Sequence, residues 1–469
     1  MPAKRPTFQS RNPANGELLW EGPSANQAEI DAAVRAARSA LPESSVDQRR
    51  EAVQAFAAEL ESRREAFVDA ISNETGKPRW ESQTEVGAML GKIRFSIQAH
   101  QERQTPQLNE TSATRYKPHG VAAVLGPFNL PGHLPNAHIA PALLAGNSVV
   151  FKPSEQTPLV GQLLAETWHA CGLGDAFHCV QGELETGKAL VAHPGIDAIF
   201  FTGSFAGGRA IAKSRIDSPG VIVALEMGGN NPLVVWDPCE IDAAVYNIIV
   251  SAFITAGQRC VCARRLILPE GSFGDRILDR LIEVSSHLRI GPPSLDPEPF
   301  YGPVISAHAA SQVLRSRDEL LDLGASSLLD MARESDESAL LTPGILDVTG
   351  VPDLPDQEIF GPLLQVIRVP DFETAIEVAN HTAYGLSSGL LCEDRERWDL
   401  FFQHARAGIV NWNRPITGAS GAQPFGGIGQ SGNHRPSGYF AIDYCAFPVA
   451  STFGSSLDLP DALAPGICL

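Results

Sequence analysis

No apolar run in the sequence approaches the roughly 18–20 residues that a membrane-crossing helix needs. The opening residues, Met1-Pro2-Ala3-Lys4-Arg5-Pro6, lack the apolar core of a secretory signal. Positive charge is in deficit: 36 Lys and Arg stand against 54 Asp and Glu, for a net charge of −18. That balance disfavours nucleic acid and anionic membrane surfaces as partners. It also means that an anionic substrate needs local cations working against the global field. Eight cysteines are present, at 171, 179, 239, 260, 262, 392, 445 and 468, but no CxxC and no disulfide-like spacing. Cys260-Val261-Cys262 has no second Cys/His cluster to complete a zinc site, so no metal is expected. Scattered free thiols suit a reducing cytoplasm. No internal repeat is visible.

What is present points to a multidomain globular protein. A chain of 469 residues is too long for one ordinary core. Its 43% hydrophobic and 19% charged content is ordinary for a soluble fold. Gly 42 and Pro 35 imply many turns.

Residues 7–23 read as short strands broken at Asn12-Pro13 and Asn15-Gly16. Ile30, Val34, Ala37 and Leu41 predict a helix capped at Ser24 or Asn26, with Glu29 three beyond Asn26. Val53, Phe56, Leu60, Phe67 and Ile71 predict one longer helix ending near Gly76-Lys77-Pro78. A third amphipathic run covers 80–100, and 103–119 is polar and extended, either a linker or an edge ribbon. From Val121-Ala122-Ala123-Val124-Leu125 onward, strands alternate with helices. Helices are expected at 135–144, 158–171, 240–255 and 274–287, and strands at 148–151, 177–180, 198–201, 221–224, 232–236 and 265–268. That alternation predicts doubly wound α/β domains with parallel sheets, whose ligands sit at the carboxyl ends of the strands. Asn129, Lys152 with Glu155, and Gly203-Ser204 all fall at such ends.

Cys260 follows Gly257-Gln258-Arg259, and Glu226 precedes Met227-Gly228-Gly229. A thiol and a carboxyl suit an attack step followed by activation of water. A lone cysteine, however, is more often a small buried hydrophobe, and a lone glutamate a surface group. Asn129 by itself reads as an Asx turn.

The company these residues keep resembles the aldehyde dehydrogenase superfamily. Asn12-Pro13-Ala14, Gly126-Pro127-Phe128-Asn129-Leu130-Pro131, Lys152-Pro153-Ser154-Glu155, Phe201-Thr202-Gly203-Ser204, Glu358-Ile359-Phe360-Gly361-Pro362 and Pro424-Phe425-Gly426-Gly427 occur in that family's order. Four stretches resemble its N-succinylglutamate 5-semialdehyde dehydrogenase branch of bacterial arginine catabolism. These are Pro118-His119-Gly120, Pro131-Gly132-His133-Leu134-Pro135-Asn136, Glu226 to Pro232, and Gly429 to Ser437.

The resemblance implies an NAD-binding Rossmann-type domain at 1–102 and 120–228, a catalytic domain at 229–432, a β oligomerisation element at 103–119 with 433–456, and a tail at 457–469. It implies a homodimer or homotetramer. It makes Cys260 the nucleophile, Glu226 the base that hydrolyses the thioester, and Asn129 the oxyanion donor together with the Cys260 N–H. Lys152 and Glu155 would hold the adenosine ribose, and a carboxylate there favours NAD over NADP. Gly203, Ser204, Phe205, Ala206, Gly207 and Gly208 would open the helix that receives the pyrophosphate. Phe205 and the extra Gly207 depart from the family's pattern. Glu358 and Phe360 would hold the nicotinamide ribose. Arg259 and the small-residue loop around Ser420 are candidates for gripping a substrate carboxylate, with Arg414, His434 and Arg435 behind them. The activity implied is oxidation of N-succinyl-L-glutamate 5-semialdehyde. Alternatives are another acidic or aliphatic aldehyde, transfer of the thioester to CoA (against which Glu226 speaks), and a silent structural relative.

Overall fold

Val121-Ala122-Ala123-Val124 are all buried, on both faces of their strand, as a strand inside a parallel sheet requires. In the computed structural model, which describes residues 6–40, 44–238, 240–434 and 437–469, this strand is central to a five-stranded parallel sheet. The order is Phe177–Cys179, Ser148–Lys152, Val121–Leu125, Ala198–Gly203, Ile222–Met227. Leu41, Cys239 and Arg435, with the first five residues, lie outside the described residues. Helices Arg79–Arg103, His133–Ala145 and Pro158–His169 cover one face, and Gln27–Ser39 with Leu184–Ala192 the other.

A second sheet of seven strands runs Ser326–Leu329, Gly344–Asp347, Leu363–Val369, Ala263–Pro269, Asn231–Val235, Ser387–Leu391, Ile409–Trp412. It is parallel except at its first edge. A third sheet is antiparallel and pairs Ala446–Thr452 with Ser112–Pro118, and that strand with Gln107–Leu108. The polar stretch after residue 103 is therefore a ribbon and not a linker. Thr7–Arg11 and Leu18–Pro23 form a separate hairpin.

The capping expectation for the first helix resolves in favour of Asn26. Its side chain accepts from the Glu29 amide, and the Glu29 carboxylate accepts from the Asn26 amide. Such reciprocal capping contributes about 1 kcal/mol. Two expectations need correction. The longer helix is two, Val46–Ser62 and Arg64–Thr75, broken at Arg63. Leu60 and Phe67 are seven residues apart, or two turns, so both keep facing the same core and the break leaves no trace in the apolar spacing. The helix expected over 240–255 stops at Phe253. Thr255 and Ala256 then take positive φ, 57° and 51°, followed by Gly257 at 71°. Left-handed backbone at a non-glycine residue costs roughly 1–2 kcal/mol, so this turn must be held by its surroundings.

Strand Ile222–Met227 lies at an open edge of the five-stranded sheet, and Gly432-Asn433 closes it. Gly432 bridges Glu226. The Asn433 side chain accepts from the Leu225 amide at 2.7 Å and donates to the Val223 carbonyl at 2.9 Å. Asn433→Ala removes both bonds and should lower unfolding free energy by about 2 kcal/mol. Urea denaturation checks this, and an unchanged midpoint would show that the Gly432 bridge alone holds the edge.

Candidate active site

The carboxyl ends of the five-stranded sheet and the segments that lead into strands Ala263–Pro269 and Leu363–Val369 of the seven-stranded sheet line a common cleft of about 1050 Å³. Asn129, Lys152, Glu155, Gly203, Ser204, Gly207, Glu226, Cys260, Glu358 and Phe360 all line it. Phe205, Ala206 and Gly208 are on the same helix but outside the wall. Gly208 instead gives room to Met227, whose Sδ a Cβ would meet at 2.3 Å. Phe205 packs edge-on to Tyr384.

Cys260 reaches the cleft because the turn at Thr255–Gly257 reverses the chain after its helix. Several contacts hold the turn. The Thr255 hydroxyl bonds the Glu81 carboxylate, and Arg259 Nε donates to that hydroxyl at 2.8 Å. Gly257 has no room for a side chain, because a Cβ would lie 2.1 Å from the Gly361 carbonyl oxygen. Arg264, fully buried, donates to the carbonyls of Gly257 at 2.6 Å and Arg259 at 3.0 Å. Its guanidinium stands 3.6 Å from the Glu358 carboxylate and over the Phe360 ring. Asn231 donates to the Cys260 carbonyl at 2.7 Å.

Burial pushes the Cys260 thiol well above its ordinary range, and the carboxylates of Glu226 and Glu358 push the same way. Arg264 is the cation that opposes them. Arg259, the neighbour in sequence, is engaged elsewhere: it pairs with the buried Glu81 at 2.8 Å. That pairing weakens Arg259 as the counter-charge for a substrate carboxylate. Ser420 is exposed and outside the cleft wall, and its hydroxyl accepts from the Ala422 amide. Arg414 and His434 are also exposed and outside it.

Asn129 is 6% exposed and fixed from both sides. Its side-chain amide donates to the Gln258 carbonyl at 2.8 Å, which leaves one N–H for the cleft. Its backbone carbonyl accepts from Lys77 at 2.8 Å, and Lys77 forms a buried ion pair with Glu85. Glu226 is 1% exposed at the end of its strand.

The far end of the cleft has the chemistry a dinucleotide needs. Glu155 is half exposed, with Lys152 Nζ 3.3 Å from its carboxylate. Ser204 caps helix Phe205–Ser214, whose N-terminus adjoins the cleft. Glu358 Oε1 is buried without a hydrogen-bond partner among the described residues, an acceptor open to a ligand hydroxyl. Gly228 permits its approach, since a Cβ there would meet Glu358 Oε2 at 1.7 Å. Sequence reasoning missed Arg264, Gln258, Glu81 and Lys77. The Thr255–Gly257 turn could have been suspected only from the Ala256-Gly257 pair. Among the described residues, no group of three or more His, Cys, Asp or Glu side chains is placed to hold a metal ion.

Glu358→Gln removes a carboxylate that raises the Cys260 thiol. Its alkylation midpoint should fall, and iodoacetamide labelling of Cys260 at pH 8 should quicken about two- to fivefold. Site-resolved mass spectrometry reads this apart from the exposed Cys468; an unchanged rate would show that burial alone sets the thiol.

The model of the aldehyde dehydrogenase family matches residues 1–447. The N-succinylglutamate 5-semialdehyde dehydrogenase of Ectopseudomonas mendocina (strain ymp) is 51% identical over 476 residues, covering 100% of this chain and 98% of that protein. That of Pseudomonas fluorescens (strain Pf0-1) is 53% identical over 468 residues, covering 98% and 96%. A Mycobacterium tuberculosis aldehyde dehydrogenase crystallised with NAD+ superposes with a TM-score of 0.89 at 28% identity, covering 98% of this chain and 97% of that one. The chain belongs to the aldehyde dehydrogenase family.

Proposed function

We propose that the chain oxidises N-succinyl-L-glutamate 5-semialdehyde to N-succinyl-L-glutamate with NAD, through a thioester on Cys260. The observation that carries this reading is the convergence of Cys260, Asn129 and Glu226 on one cleft that continues to Lys152 and Glu155. The substrate comes from the full-length relatives and their names.

The chemistry follows from the groups in place. Cys260, once deprotonated, attacks the aldehyde carbon. The free Asn129 N–H and the Cys260 backbone N–H stabilise the oxyanion; the amide suits this because it donates without titrating. NAD held in the cleft would supply the two-electron acceptor, taking a hydride from the carbon bonded to Cys260 and leaving a thioester there. Glu226 then takes a proton from the water that attacks the acyl carbon, and Cys260 leaves as thiolate. Glu155 would accept from the ribose hydroxyls and repel a 2′-phosphate. The helix starting at Phe205 would receive the pyrophosphate, and Glu358 with Phe360 the nicotinamide ribose.

The three-stranded sheet leaves Leu108 and Phe447 exposed, at 63% and 42%, which supports its use as a contact between copies in a homodimer or homotetramer. Among the described residues no helix is long and apolar enough to cross a membrane. Together with the free thiols, this supports a cytoplasmic enzyme.

Cys260→Ala should abolish turnover. Glu226→Gln should keep a first-turnover burst of NADH and lose at least about tenfold in steady-state rate; loss of the burst would contradict a hydrolytic role. NADH formation is to be compared across succinylglutamate, succinic and short aliphatic semialdehydes, with NAD and NADP in parallel. A large kcat/KM preference for the succinylated substrate with NAD supports the reading. Equal rates across the panel would assign the chain to a broader aldehyde specificity.

A further inference from the structure

Asn129 is held in a closed ring of contacts. Its backbone carbonyl accepts from Lys77 Nζ at 2.8 Å, and its side-chain amide donates to the Gln258 carbonyl at 2.8 Å. The Gln258 side chain carries the ring on. Its Oε1 accepts from the Ile305 amide at 3.0 Å, and its Nε2 donates to the Thr255 carbonyl at 3.2 Å. Gly302 and Pro303, just before Ile305, then close on the turn that bears Lys77. A Cβ on Gly302 would lie 1.8 Å from the Gly76 carbonyl oxygen, and one on Gly76, whose φ is 74°, would lie 2.7 Å from Pro303 Cγ. Gly76 leads directly into Lys77, which completes the ring.

Glu85, the ion-pair partner of Lys77, fixes the other end of the same stretch. Its Oε2 accepts from Lys77 Nζ, and its Oε1 accepts from the amides of Gly132 and His133 at 2.9 and 3.2 Å. Helix His133–Ala145 has no side-chain cap from its own N-cap residue, Gly132, where a Cβ would lie 2.6 Å from Met89 Sδ. Glu85 therefore caps it from the neighbouring helix. Residues 129 and 132–133 are thus pinned by the two halves of one ion pair, whose side chains are 2% and 1% exposed. Stability alone does not call for charges there, because a buried ion pair is often no more stable than apolar groups of the same size. What the pair supplies is direction.

We propose that Lys77, together with Glu85, is a positioning residue for the oxyanion, holding Asn129 so that its free side-chain N–H points at the oxygen of the aldehyde under attack. The proposal rests on the reading of Asn129 as oxyanion donor. In that step the Cys260 sulfur bonds the aldehyde carbon, the carbonyl π pair moves onto the oxygen, and the Asn129 N–H donates to it. The ammonium fixes the peptide plane that follows Asn129, and the Gln258 bond takes one side-chain N–H and aims the other. Misplacement of a reacting group by about 1 Å can cost about a hundredfold in rate. Lys77 and Glu85 lie outside the cleft wall, so they act through Asn129 and touch neither reactant.

Lys77→Met combined with Glu85→Gln tests this. The paired change leaves no buried charge, and the amide oxygen at 85 still accepts from Gly132 and His133. First-turnover NADH formation is to be measured by stopped flow over a range of aldehyde concentrations, with NAD affinity by fluorescence titration. The first turnover should slow about tenfold, while the half-saturating aldehyde concentration and NAD affinity stay within about twofold. Asn129→Ala supplies the second arm of a double-mutant cycle. In that background the paired change should cost less than about twofold more, since its effect passes through Asn129. An unchanged first turnover would overturn the proposal. So would an equal loss in both backgrounds or a parallel loss of NAD affinity, either of which marks a packing role. Should the double variant fail to fold, Lys77→Met alone, in which Glu85 keeps its two amide bonds, is read in the same way. Asn129→Ala also separates the two readings. A full rate in that variant sinks the oxyanion role itself, whereas a slow Asn129→Ala beside an unaffected paired variant sinks only the positioning.

Discussion

A buried guanidinium holds the reactive turn together. Arg264 is fully removed from water, a costly state for a charge unless it is paired and bonded. It meets that requirement by donating to the carbonyls of Gly257 and Arg259 and by standing near the Glu358 carboxylate. The same group therefore shapes the loop carrying Cys260, opposes the rise in its thiol, and anchors Glu358 on the other wall. The left-handed residues Thr255 and Ala256 persist because these bonds and the Glu81 contact over-determine them.

A second buried ion pair does comparable work on the facing side. Lys77 and Glu85 are almost fully enclosed. Lys77 reaches the Asn129 carbonyl, while Glu85 accepts from the amides of Gly132 and His133, the start of the next helix. The loop that presents Asn129 is thus tied at one end to Lys77, in the turn before helix Arg79–Arg103, and at the other to Glu85 on that helix. The carboxyl ends of one sheet meet the loops that lead into the strands of the other, and with each loop held by a buried charge little freedom is left at the reacting centre.

This arrangement also bears on the problem set by the net charge of −18. The cations nearest the thiol are spent on structure: Arg264 on carbonyls and Glu358, Arg259 on Glu81. Proximity in sequence made Arg259 the natural candidate for activating Cys260 and for holding a carboxylate. Its partner lies at position 81, on a helix whose apolar spacing says nothing of where its acidic residues point.

The sequence by itself determined the strand–helix alternation and narrowed the first cap to Ser24 or Asn26, and the resemblance of its motifs pointed to most of the residues that line the cleft. Apolar period, cap chemistry and the strand ends at Asn129, Lys152 and Gly203 are local properties, written in neighbouring residues. The break at Arg63 escaped because seven residues make two turns and the buried face stays in phase. Tertiary structure alone decided the turn at Thr255–Gly257, whose backbone is held by residues such as Glu81 and Gly361 far along the chain. It alone decided which arginine faces the thiol, and the meeting of Lys77, Asn129 and Gln258. Hydrogen bonds and ion pairs between distant residues follow from how layers stack, and no local pattern records that.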